Sequence, residues 1–277
     1  MMKVTLKPII TAGEFQQLLQ VESPIIIDAG SGDATRERYK NEHVLGALYV
    51  DLNTDLAEIP EDATNGGRHP LPNPEKFAKV LGSLGIGPTS HVVVYDDKQG
   101  SNAAARFWWM LRAAGHDKVH VLNGGLQSAK AAGITMTNVT TVPEKVSLYP
   151  VKDWQLPLKT MTEVEQASTD DNYLIIDVRD NERYLGLTEP LDPVADHIPN
   201  AINLPFKNHL DSKGEFLNPD ELGKLYESVL SKFTSEKIIV HCGSGVTACH
   251  TILAMAQSGF IIPSLYVGSW SEWCRNH

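Results

Sequence analysis

Short apolar runs, each closed by an acidic, aromatic or imidazole side chain, alternate along this chain with stretches whose apolar positions recur at helical spacing. Pro24-Ile25-Ile26-Ile27-Asp28, His91-Val92-Val93-Val94-Tyr95, Tyr173-Leu174-Ile175-Ile176-Asp177 and Lys237-Ile238-Ile239-Val240-His241 are the clearest runs. Short Val- and Ile-rich segments flanked by Asp, Gly or Pro predict strands buried on both faces, as in a parallel sheet covered by helices. The intervening stretches carry helix-start signals. Thr11 with Glu14, and Thr160 with Glu163, have capping-box spacing, and Asn73-Pro74 and Asn218-Pro219 place a cap before a proline at the first helical position. The pattern predicts an α/β fold.

The landmarks occur twice and in one order. Thr11 and Thr160 are 149 positions apart, and so are Asp28 and Asp177. His43-Val44-Leu45-Gly46-Ala47 is echoed by His197-Ile198-Pro199-Asn200-Ala201, and Gly124 by Gly268. A single unit repeated at nearly constant separation implies a duplicated domain. The predicted organisation is a first domain over 1–142, a linker over 143–159 carrying Pro143, Pro150 and Pro157, and a second domain over 160–277.

Length and composition agree with that plan. The 277 residues suit two domains, and 42% apolar with 21% charged residues excludes a disordered chain. A formal net charge of −10 argues against a protein that coats nucleic acid or an anionic membrane, although a pocket can still be locally positive. No run approaches the ~20 apolar residues of a membrane span. The segment Met1 to Pro8 has no apolar stretch of a secretory signal, so a cytoplasmic location is expected. Three cysteines, Cys242, Cys249 and Cys274, are too few for a disulfide framework and match no zinc spacing; no metal is expected.

Ligands of an open α/β sheet bind at the carboxyl ends of its strands. The strand ending at His241 runs into Cys242-Gly243-Ser244-Gly245-Val246-Thr247, and Ala248 to Ala256 then reads as a helix. Backbone N–H groups of such a loop can converge on an anion, and the helix N-terminus adds positive potential. A thiolate there is stabilised and reactive at neutral pH. Gly243 and Gly245 allow turns that a Cβ would resist, Ser244 offers a hydroxyl, and Thr247 braces the loop. Cys249 falls on the helix and reads as packing. The first copy has Asp96 where the second has Cys242, so only the second copy is expected to carry nucleophilic chemistry, with the first lending residues to the cleft.

These residues resemble the two-domain rhodanese family, the thiosulfate and 3-mercaptopyruvate sulfurtransferases, over essentially the whole chain. The two His-containing elements are similar to the family's His-Ile-Pro-Gly-Ala, with Leu45 and Asn200 as departures, and Tyr266 to Trp273 resembles its C-terminal signature. The resemblance implies two tandem rhodanese-like domains and a two-step transfer without a cofactor. Cys242 takes sulfur from a small anionic donor, holds it as a persulfide, and passes it to a thiol such as thioredoxin, or to cyanide. It also implies that Arg183 holds the donor carboxylate, that Arg179 anchors the loop, and that Ser244, His43 and Asp33 form a proton relay. Gly67-Arg68-His69-Pro70 resembles a further family element, through which Arg68 or His69 could reach the cleft. The loop resembles that of the mercaptopyruvate branch. Asp192, standing where that branch commonly has a second arginine, is closer to the thiosulfate branch. Two other readings compete. A cysteine phosphatase needs Arg six positions after the nucleophile, where Ala248 stands. The other is a non-catalytic sulfur carrier or binding module, and the cysteine retained in an intact loop argues against a plain binding module.

Overall fold

A computed structural model describes residues 6–144, 146 and 149–277; positions 1–5, where the signal question arises, and 145, 147 and 148 of the predicted linker lie outside the described residues. The chain divides into two compact units, Met1–Ala57 with Pro72–Gln155, and Glu58–Leu71 with Leu156–His277. The division departs from a cut at 142 in two ways. The linker from Tyr149 to Gln155 packs with the first unit, where Trp154 meets Phe77 and Trp109, and Tyr149 meets His116. Glu58–Leu71, from the first half of the sequence, folds into the second unit.

The first unit runs β1 (Ile9–Ile10), α1 (Ala12–Val21), β2 (Ile25–Gly30), α2 (Asp33–Asn41), β3 (His43–Val44), β4 (Leu48–Asp51), α3 (Pro74–Ser83), β5 (Val92–Tyr95), α4 (Ala103–Ala113), β6 (Val119–Leu122), α5 (Gly125–Ala131) and β7 (Met136–Thr137). The second runs β8 (Leu158–Lys159), α6 (Met161–Ala167), β9 (Leu174–Asp177), α7 (Asn181–Tyr184), β10 (Ala201–Asn203), α8 (Pro219–Leu230), β11 (Ile238–His241), α9 (Thr247–Gln257), β12 (Ser264–Tyr266) and α10 (Ser269–Asn276), with short 3₁₀ turns at Phe206–His209 and Ser235–Lys237.

The local signals fold as their chemistry requires. Thr11, Thr160 and Asn218 each close a reciprocal capping box with the glutamate three residues on, and Asn73 caps α3 through the Lys76 amide. The main sheets have orders β1-β6-β5-β2-β4 and β10-β9-β11-β12-β8, parallel throughout. Taken strand for strand these are the same order, so the sequence repeat is a repeat of topology. The middle strands β5 and β11 are buried at every residue, which is why they read as unbroken apolar runs. Each core lies between its sheet and helices: Phe15, Ile26, Val93 and Leu122 in one unit, Val164, Ile175, Ile239 and Trp270 in the other. In the second unit the chain leaves β9 towards one edge and β11 towards the other. The carboxyl end of β11 therefore stands at the point where strand order reverses, a place left open by the crossovers.

Candidate active site

Cys242 is the first residue beyond β11, a free thiol with 2% of its surface exposed. Its loop is fixed from behind by the start of α10. The Trp270 amide donates to the Cys242 carbonyl at 3.0 Å and the Ser271 amide to the Gly243 carbonyl at 2.9 Å. The Cys242 amide donates to Ser269 Oγ at 3.2 Å, which in turn donates to the Tyr266 carbonyl. Ser269 holds this bridging position at a φ of 55°, unusual for a residue with a side chain. With the carbonyls turned back onto α10, the amides of Gly243, Ser244, Val246 and Thr247 have no acceptor among the described residues. Gly245 has a φ of +72°, and a Cβ there would lie 2.5 Å from the Val267 carbonyl oxygen. Both the turn and the close approach require glycine.

The Glu58–Leu71 segment is tied to the same helix. Glu272 accepts from the Gly66 amide at 2.7 Å, and Ser271 Oγ from the Arg68 amide at 3.0 Å. A Cβ on Gly67 would lie 2.3 Å from the Gly268 carbonyl, which explains its glycine. This path delivers two side chains to the cysteine loop. His69 Nδ1 lies 2.8 Å from Ser244 Oγ. Arg68 Nη2 would be 3.1 Å from a Cβ on Gly243, and Arg183 Nη2 would be 3.3 Å from the same point. Gly243 thus leaves room for two guanidinium tips beside the residue that follows Cys242.

A buried ionic network holds those tips. Arg183 pairs with Glu189 through Nε at 3.1 Å and Nη2 at 2.6 Å. Arg179 binds Asp177 and reaches Glu189 at 3.2 Å, with Trp270 stacked on its guanidinium. Asp192 accepts from Arg68 and Arg275, and its side chain is completely enclosed. Four guanidiniums face three carboxylates, Asp177, Glu189 and Asp192, which leaves one positive charge beside the loop. In a chain of net charge −10, this surplus makes the rim of the loop locally positive. His241, enclosed next to the cysteine, is pushed by burial towards its neutral form.

The expected site residues are divided between the two units, His43 and Asp33 in the first and the others in the second. Cys242, Gly243, Ser244, Gly245, Val246, Thr247 and Arg183 share the loop and its rim. Ser244, expected to share a relay with His43 and Asp33, has His69 Nδ1 2.8 Å from its hydroxyl. His43 is enclosed in the first unit, stacked on Tyr39 at 4.1 Å, with Nδ1 on the Tyr39 carbonyl at 2.6 Å and Nε2 facing the Val139 carbonyl. His197 does the same in the second unit, stacked on Tyr184 at 4.0 Å with Nδ1 on its carbonyl. The repeated histidine therefore fastens a helix end to the following strand in both copies. Asp33 begins α2 of the first unit. The signal for His69 was present in Gly67-Arg68-His69-Pro70. The hold of α10 on the loop, made by backbone amides, left no signal beyond glycines and serines.

The first unit shows what the same loop does around a carboxylate. Asp96 follows β5 as Cys242 follows β11. One of its oxygens accepts from the amides of Lys98 and Gly100, and the other from those of Asn102 and Ala104, at 2.7 to 3.1 Å. Burial pushes this carboxyl up, against the pull of the four amides. With four donors and no acceptor for a proton facing it among the described residues, the ionised form is the one this loop accommodates.

The fold and loop define a pair of rhodanese-like domains: the family model of the rhodanese-like domain matches residues 11–132 and 160–276, and the chain belongs to that family. Among its relatives, a probable 3-mercaptopyruvate sulfurtransferase of Pseudomonas aeruginosa is 40% identical over 237 residues, covering 85% of this chain and 82% of that protein. A thiosulfate sulfurtransferase of Cricetulus griseus is 37% identical over 243 residues, covering 86% and 79%. In three dimensions the chain is similar to the 3-mercaptopyruvate sulfurtransferase of Leishmania major, with a TM-score of 0.85 and 29% identity over 98% of this chain and 75% of that one. No helix among the described residues is long and apolar enough to cross a membrane.

Proposed function

We propose that this protein is a sulfurtransferase that moves one sulfur atom from 3-mercaptopyruvate to a thiol or to cyanide through a persulfide on Cys242. The observation that carries the reading is the cysteine at the strand end, with open loop amides in front of it and the Arg68 and Arg183 guanidiniums beside it. The Cys242 thiolate attacks the donor sulfur. A sulfur–sulfur bond forms, the carbon–sulfur bond of the donor breaks, and its electron pair leaves on carbon as the enolate of pyruvate. That enolate needs a proton, and Ser244 Oγ, hydrogen-bonded to His69, is the polar pair placed to relay one. An acceptor thiolate or cyanide then attacks the outer sulfur and restores Cys242. Enclosure of the cysteine protects the intermediate from water and oxidants. A reducing cytoplasm, with a thiol such as thioredoxin as acceptor, suits a chain whose three cysteines are all free.

Thiosulfate is the second donor to be weighed. Two guanidiniums at the loop suit a dianion, and relatives of that name align over most of the chain. Thiosulfate releases sulfite without needing a proton, so the two donors respond differently to loss of the hydroxyl. Ser244→Ala is expected to lower kcat/KM for 3-mercaptopyruvate about 10²-fold and to leave thiosulfate much less affected. Equal losses would remove Ser244 from the proton path. The deciding measurement is kcat/KM for both donors, with intact mass to detect the ~32 Da of one added sulfur. A clear preference for thiosulfate would show that the Asp192 segment, and not the loop, governs choice of donor. Arg183→Ala is expected to raise KM for the donor about 10-fold or more with a smaller change in kcat, because its pairing energy is spent mainly on binding. An unchanged KM would take it off the site.

A further inference from the structure

We propose that the exposed aliphatic face of the 185–196 segment is the docking surface for the sulfur acceptor, and that this acceptor is a protein dithiol whose reactive cysteine sits in an uncharged, apolar surround. The inference rests on the sulfur-transfer reading and deepens it by naming the partner of the second step.

The segment is an insertion peculiar to the copy that carries the cysteine. Tyr39 and His43 stack at 4.1 Å, and Tyr184 and His197 at 4.0 Å, so the two pairs mark equivalent places in the two units. The first pair is four positions apart (43 − 39) and the second thirteen (197 − 184), which gives the second unit nine additional residues. The insertion is closed on itself: a Cβ on Gly186, at a φ of +70°, would lie 2.9 Å from the Ala195 carbonyl oxygen. Compact surface loops with closed ends are frequently functional.

Its side chains are arranged inside out. Glu189 and Asp192 are turned inward and enclosed among arginines. Leu185, Leu187, Leu191 and Val194 are 54, 72, 57 and 45% exposed. An ordinary loop solvates its carboxylates and buries its leucines. Four aliphatic side chains within ten positions, with no exposed charge between them, have the composition of the centre of a protein–protein contact, where charged residues are depleted. The enclosed ion pairs hold the backbone beneath them, so docking orders little that is not already ordered.

The place of the segment selects its occupant. Trp270 Nε1 donates to the Val194 carbonyl at 2.9 Å, while the Trp270 amide donates to the Cys242 carbonyl at 3.0 Å, so one residue ties the apolar face to the nucleophile. A partner seated there is brought beside Cys242, and the step that needs a partner at that place is removal of the sulfur. Cyanide and small thiols arrive by diffusion and need no such surface; a folded acceptor does. A second copy of this chain would cover the nucleophile and block it. The acceptor's thiolate attacks the outer sulfur, the sulfur–sulfur bond to Cys242 breaks, and the electron pair returns to Cys242. The acceptor's second thiolate then attacks the inner sulfur of the new persulfide, which forms the acceptor's disulfide and releases the transferred atom as hydrosulfide. The dithiol supplies both electrons.

The test follows loss of the outer sulfur from Cys242, loaded with donor and verified by the ~32 Da gain in intact mass. Reduced thioredoxin serves as the dithiol protein, and cyanide and mercaptoethanol as small acceptors. Wild type is compared with the double variant Leu187→Ser/Leu191→Ser and with Leu187→Asn. These side chains are exposed, and the small acceptors report whether the site is intact. The expected result is a fall of at least about 10-fold in the second-order rate constant for thioredoxin in the double variant and a smaller fall in the single one, with cyanide and mercaptoethanol within about 2-fold of wild type. An unchanged thioredoxin rate, or equal losses with all three acceptors, overturns the docking surface and leaves sulfur transfer intact. A wild-type dimer that the double variant converts to monomer in sedimentation assigns the face to a second copy and overturns the proposal as well. Wild-type protein that gains no mass on Cys242 from any donor overturns the sulfur-transfer reading itself, and this inference with it.

Discussion

Cys242→Ser is expected to lower sulfur transfer by at least about 10⁴-fold, because a serine hydroxyl is un-ionised at neutral pH and cannot hold a second sulfur. The substitution is nearly isosteric, and the fastenings of this residue are all backbone: its amide to Ser269, its carbonyl from Trp270. The loop should therefore persist, and stability should change by less than ~1 kcal/mol. Steady-state turnover and intact mass after incubation with donor check both statements; substantial residual turnover would refute the assignment of the nucleophile. Cys249 provides the contrast. It lies inside α9 with its thiol directed to the Gly245 carbonyl at 3.3 Å, a hydrogen bond that serine can keep. Cys249→Ser should stay within a few-fold of wild type and still acquire sulfur on Cys242.

Much of this was legible in the sequence, for definable reasons. Strands buried on both faces must be apolar at every position, so β2, β5, β9 and β11 were visible as runs, and cap chemistry marked the starts of α1, α3, α6 and α8. The proposed nucleophile was legible because a cysteine between a buried strand and a Gly-x-Gly turn is a rare combination. What a linear reading missed concerns contacts between distant segments. His43 lies in a recognisable element, and the resemblance alone gives it a proton-carrying role. Its repeat at His197 was the better guide, since a histidine found in both copies serves what both copies share, and only one has the cysteine. Arg68 and His69 lie 174 and 173 positions before Cys242, and no spacing rule assigns residues of the first half to the second unit. Asp192 read as a missing arginine. In the structure it is an enclosed carboxylate that pairs with Arg68 and Arg275.

Asp96→Ala is expected to cost about 3–6 kcal/mol of stability, because four enclosed amide donors lose their acceptors together and each unsatisfied group costs about 1–3 kcal/mol before water partly compensates. Against a net stability of about 5–15 kcal/mol, that is enough to leave a sizeable unfolded population on mild warming. Asp96→Asn should lie between the two. Each Asp96 oxygen takes two amides, and an asparagine presents an acceptor to one pair and an N–H to the other. Urea unfolding followed by circular dichroism reads the series, and a loss below ~1 kcal/mol in Asp96→Ala would show that the carboxylate does not hold this loop. Cys242→Ala supplies the comparison that gives the result its meaning. The second loop is held by α10 through its carbonyls and presents its amides to an external anion, so removing its side chain should cost little stability and all of the chemistry. The first loop has taken its anion into its own sequence. A carboxylate that satisfies the amides permanently makes them structural, whereas a sulfur that satisfies them only in passing leaves them available for turnover. The difference in stability between Asp96→Ala and Cys242→Ala therefore measures how far the two copies of one loop have diverged, one towards holding the fold and the other towards reacting.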